Sequence, residues 1–126
     1  MPKMSTSEVI GKVVWNDGVD VAIEHYKKLK TDKSGEYDFA ESQLNGLGYE
    51  LIQLDRIDDA IKIFRLNQEE FSESANVYDG YGDALLANGD TTNSLINFKK
   101  AFAMDSTFTW TKPKIMRIEK TMTNKK

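Results

Sequence analysis

The chain has no cysteine, one histidine and two prolines in 126 residues. Without cysteine there is neither a disulfide framework nor a thiolate metal site. With His25 as the sole imidazole, a histidine-based metal cluster is excluded too. No apolar run approaches the ~20 residues that a membrane-crossing helix needs, and Met1–Ser7 lacks the basic-then-apolar plan of a secretion signal. The expectation is a cytoplasmic protein with no membrane partner and no cofactor. Two motifs of serine hydrolases, Ser-x-x-Lys and Gly-x-Ser-x-Gly, are also missing.

What is present is enough for one compact unit. Hydrophobic residues make up 40% of the chain, sufficient for a continuous core. The net charge of −3 hides an asymmetry. Residues 109–126 carry Lys112, Lys114, Arg117, Lys120, Lys125 and Lys126 against Glu119, a balance of +5, so residues 1–108 hold −8. An acidic body argues against nucleic acid as a partner.

Two 34-residue stretches, Glu41–Ser74 and Ala75–Phe108, align without a gap. Gly46 falls on Gly80, Gly48 on Gly82, Leu51 on Leu85, Phe64 on Phe98 and Ser72 on Ser106. A glycine inside a helix costs about 0.5–1 kcal/mol relative to alanine, so Gly48 and Gly82 imply helix backbones in close approach. The small residues Ala60 and Ser94 face them, and Phe64 and Phe98 follow one turn later. The short connections Leu54-Asp55-Arg56 and Asn88-Gly89-Asp90 make the helices of each unit antiparallel neighbours.

Upstream, Ala22-Ile23-Glu24-His25-Tyr26 repeats Ala60-Ile61-Lys62-Ile63-Phe64 at an offset slightly longer than the repeat, which places extra residues in the loop Thr31–Asp38. A third, degenerate unit over about residues 3–36 follows. Its first helix is expected from Ser5, capped by Ser5-x-x-Glu8, to Val14. Val9, Ile10, Val13 and Val14 leave a short strand as the alternative. Asp38-x-x-Glu41 reads as a second capping box. Thr111-Lys112-Pro113 opens a capping helix over about 111–122, with Ile115, Ile118 and Met122 as its apolar face.

Over residues 41–108 these positions resemble the tetratricopeptide repeat, a helix-turn-helix unit whose usual role is to hold other proteins. The template's positions are met by Leu44, Leu47, Gly48, Leu51, Ala60 and Phe64, then by Tyr78, Tyr81, Gly82, Leu85, Ser94 and Phe98. Asn67 departs from the small residue expected, and Ser72 and Ser106 stand for proline. The resemblance implies a single all-α domain over 1–126: three antiparallel hairpins in a right-handed array, with the capping helix last. The stretches Tyr37–Tyr49 and Ala75–Ala84 also look like the repeat tails that follow β-lactamase-type serine-hydrolase domains in some bacteria. No hydrolase activity comes with that likeness.

In the family, the first helix of each unit lines a concave groove. Carried over, that implies Ser42, Asn45, Tyr49, Ile52 and Gln53 in one unit, and Asn76, Asp79, Asp83, Leu86 and Ala87 in the next. A groove of Asn, Tyr, Asp and aliphatics suits an extended peptide, which needs hydrogen-bond partners for its backbone. With no Lys or Arg there, a neutral or basic protein or peptide is the expected partner, and Asn45, Tyr49, Asp79 and Asp83 should be accessible. The reading is a non-catalytic interaction scaffold. Two rivals are a self-associating homo-oligomer docked through acidic body and basic tail, and a small enzyme using His25 with Asp32, Glu36, Asp38 and Glu41. The spacing of those acids fits no calcium or magnesium loop, and no metal is expected.

Overall fold

The computed structural model describes residues 3–107 and 110–123. Phe108, which closes the third unit, and Lys125 and Lys126 of the basic tail lie outside the described residues. Seven helices are described: α1 (Thr6–Asp17), α2 (Val19–Asp32), α3 (Glu41–Gln53), α4 (Ile57–Glu70), α5 (Ala75–Ala87), α6 (Thr91–Met104) and α7 (Thr111–Thr123). The fold is all-α. Consecutive pairs α1–α2, α3–α4 and α5–α6 pack together. The first helices α1, α3 and α5 also touch in turn, α2 packs on α4, α4 on α5, and α7 closes against α6.

α1 starts where expected. Ser5 is extended (φ −75°, ψ 115°), and its Oγ accepts from the Glu8 N–H at 3.2 Å. The helix runs about one turn past the expected end, to Asp17, and stops at Gly18, whose φ of 95° is open to glycine and strained for other residues. Thr6, Ile10 and Val14 recur at i, i+4 and i+8 and are buried, so the β-branched run builds a helix face, and the strand alternative fails. A strand does exist just before the helix. β1 (Met4–Ser5) pairs in parallel with β2 (Tyr37–Asp38), and Met4 N–H donates to Glu36 O at 2.9 Å.

That pairing undoes the capping box expected at Asp38-x-x-Glu41. Asp38 Oδ1 accepts instead from Ala40 N–H at 2.9 Å, and Ala40 becomes an N-cap with no side-chain hydrogen bond. Glu41 reaches forward to accept from Ser74 Oγ (3.0 Å) and Asn76 Nδ2 (3.1 Å). Asn67 belongs to the same cluster: its Nδ2 donates to Glu41 O at 3.1 Å, which explains a buried amide where the repeat has a small residue.

The glycines of the alignment hold the hairpins. A Cβ on Gly48 would lie 2.6 Å from the Phe64 ring, and one on Gly82 2.6 Å from the Phe98 ring. Phe64 and Phe98 are fully buried, and Ser94 Oγ donates to Gly82 O at 2.8 Å, so the small residue meets the glycine backbone directly. The α3–α4 and α5–α6 turns share a left-handed residue at aligned positions, Asp55 (φ 61°) and Gly89 (φ 82°).

α7 departs from its expected face. Thr111, Ile115 and Ile118 are buried, while Met122 is 44% exposed. The buried stripe is one turn nearer the N-terminus because Thr111 is itself a docking residue.

Candidate functional site

The first-helix layer contains three junctions, α1–α3, α3–α5 and α5–α7, and the implied groove residues are divided among them. Ser42, Gln53, Leu86 and Ala87 are exposed; Asn45, Tyr49, Ile52, Asn76 and Asp83 are half-buried. Asp79 is only 2% exposed. The expectation that Asn45, Tyr49, Asp79 and Asp83 form an accessible surface is therefore corrected for Asp79: helix against helix, not solvent, meets its carboxylate.

At α3–α5, Tyr49 Oη donates to Asp83 Oδ2, and the Tyr49 ring stands edge-on to Phe64 at 5.0 Å. A Cβ on Gly80 would lie 2.7 Å from Phe64 and 2.9 Å from Asn45 Oδ1, so this junction has no spare volume. At α5–α7, Lys114 Nζ lies 2.9 Å from Asp79 and 3.0 Å from Asp83, with the Phe98 ring centroid 5.2 Å away. Thr111 Oγ1 donates to the other oxygen of Asp79 at 2.8 Å. The two acids expected to await a partner thus hold the chain's own last helix.

The electrostatics follow from crowding. Burial pushes the Asp83 carboxyl above its ordinary range, and the charge of Asp79 adds to this, while Tyr49 and Lys114 oppose it. Burial, then the hydrogen bond to Asp83 and the charges of Asp83 and Asp79, push the Tyr49 phenol well above its ordinary value.

The α1–α3 junction is different. It holds a trough of about 350 Å³ lined by Glu8, Gly11, Lys12 and Trp15 of α1 and by Leu47, Glu50 and Leu51 of α3, with Ser5 and Ser7 at one end. A Cβ on Gly11 would lie 3.3 Å from Leu47 Cδ1, whereas one on Gly46 would meet nothing within 4 Å. Trp15 is 57% exposed and carries the Arg56 guanidinium 4.4 Å from its ring centroid.

His25 is exposed and lines a small depression with Lys28, Leu29, Asp32 and Lys33. Of the acids named with it only Asp32 shares that depression: Glu36 pairs with Lys33, Asp38 serves the β2 turn, and Glu41 serves the Ser74–Asn76 cluster. Among the described residues no group of three His, Asp or Glu side chains is placed to hold a metal, and no helix is long and apolar enough to cross a membrane.

Sequence reasoning missed Lys114 and Thr111 as site residues, and it missed the trough residues Glu8, Gly11, Trp15 and Glu50. For Lys114 a signal existed: it stands one repeat length after Gly80, as Gly80 does after Gly46. No protein-family model matches the chain, and no curated protein matches it.

Proposed function

We propose that the chain is a non-catalytic protein-interaction module of tetratricopeptide type, engaging a peptide or protein partner along its first-helix layer. One observation carries this reading: of three successive junctions in that layer, two are filled by the chain's own side chains and one, α1–α3, is an open trough floored by Gly11 and Leu47. Half-buried troughs with an exposed aromatic and a few polar groups are where partners gain most per contact. The acidic body favours a neutral or basic partner over an acidic one.

Partner capture from lysates of the source cells, made with two variants, tests it. Gly46→Trp puts bulk on the first-helix layer at a position with free space. Met116→Glu changes an exposed side chain in the middle of α7. Loss of captured proteins with the first and retention with the second is the expected result. Retention with both overturns the reading.

A further inference from the structure

The α5–α7 junction shows how this scaffold fills such a space: a lysine enters, and its ammonium meets two carboxylates and lies over an aromatic ring. The α1–α3 junction presents related groups, with Lys12 paired to Glu8 at the surface and no cation of the described residues bridging the two carboxylates that line it. It has two carboxylates, Glu8 and Glu50, and an exposed aromatic ring, Trp15. One guanidinium, from Arg56, already lies over the Trp15 ring, so the ring stands in a setting that attracts cations. Glu50 has no ion pair among the described residues, and Glu8 has only Lys12 at 3.7 Å, a pair so exposed that it holds neither group firmly. Where Lys114 stands in α7, α3 has Gly46, with no neighbour for a side chain to meet. We propose that the trough binds a lysine or arginine of an extended partner segment, its cation at Glu50 and Glu8 and its alkyl stem along Trp15 over Gly11.

This assignment rests on the interaction reading and adds the chemistry of the ligand. An anionic partner is disfavoured because Lys12 is the single cation lining the trough against two acids, within a body of −8. Leu47 and Leu51 at the floor give a neighbouring aliphatic side chain of the same segment a place beside the cation.

Selection from a random library of short peptides on the immobilised full chain tests it. The expected result is enrichment of lysine or arginine next to an aliphatic residue. Binding of the selected peptides should fall at least about tenfold in Glu50→Lys, as when one member of a charge pair is reversed. Exchanging the peptide's basic residue for glutamate should restore affinity to that variant. Because Glu50 is exposed, Glu50→Lys should melt with the wild type. Selection of acidic or uncharged peptides, or indifference to Glu50→Lys, overturns the assignment. If the selected peptides ignore Glu50→Lys but are lost with Gly46→Trp, the interaction reading stands and the lysine site falls. If nothing is enriched over blank matrix, both fall.

Discussion

The α1–α3 and α5–α7 junctions are built from the same kind of helix pair and differ in what occupies the space between them. At α5–α7 a buried acid, a lysine and a threonine are consumed in holding the last helix to the array, so the polar residues there are structural. At α1–α3 the side-chain hydrogen bonds gather at one end, where Gln43 Oε1 accepts from Ser5 Oγ (3.1 Å) and Ser7 N–H (2.9 Å), and a trough lies open beside them. Polar residues on a repeat face are therefore no guide to partner binding until it is known whether the next helix has already claimed them. Asp79 and Glu50 both lie on first helices, yet the first is withdrawn from solvent and the second is presented to it.

The largest effect that separates the junctions is expected at Asp79. Asp79→Ala leaves Thr111 without its acceptor and takes from Lys114 one of its two carboxylates. Because Lys114 keeps partial access to water, the cost should be about 2 kcal/mol, less than for a fully buried pair. Urea melts check this, and a Glu50→Ala variant measured alongside should be nearly silent. Equal losses at the two acids would erase the distinction between closed and open junctions.

A glycine pair sharpens it further. Gly80→Ala pushes a methyl group into Phe64 and Asn45 and should destabilise by about 1–2 kcal/mol, the usual cost of overpacking less the gain in helix propensity. Gly46→Ala, at the aligned position of α3, meets nothing and should stabilise by about 0.5–1 kcal/mol. Opposite signs in paired thermal melts are the expected outcome. A loss at Gly46 would mean that the α1–α3 space is not free.

The smallest effect appears only in alkali. The native Tyr49 phenol is raised well above its ordinary value of 10.0, while in the unfolded chain it ionises there. Above about pH 10 the unfolded chain therefore releases a proton that the folded chain retains, and stability falls as pH rises through that window. Tyr26, buried and near the negative charge of Glu70, acts in the same direction. Tyr49→Phe should flatten the decline above about pH 10 without abolishing it, as read from denaturant midpoints. An unchanged slope would sever Tyr49 from the closed network.

Much of the architecture was legible from periodicity. The alignment of Gly48 with Gly82 and of Phe64 with Phe98 reports a local contact within one hairpin, and such contacts repeat whenever the hairpin repeats. The Ser5 cap was legible for a similar reason, since donor and acceptor lie within one helical turn. What failed to show were contacts between units. The β1–β2 pairing joins segments separated by the whole first hairpin and carries no pattern of its own. Once Asp38 was held there, the local signal for a capping box was overruled. Asp79 and Asp83 were readable as first-helix positions, but their occupation by Lys114 depended on the identity of a residue two helices later, in α7. The trough is the converse case, a space between helices whose lining residues, Gly11 and Trp15 of α1 and Leu47 and Glu50 of α3, share no repeat signal.

Met116 of α7, 60% exposed, aligns with Gly82 one repeat earlier, at the position where a first helix must be bare for its own second helix to lay a phenylalanine across it. Lys112 and Glu119 likewise align with Tyr78 and Leu85 and are exposed where those two are buried. α7 thus lacks the surface on which α3 and α5 each receive a second helix, and restoring glycine and apolar residues at those three positions would be the precondition for laying another helix across it.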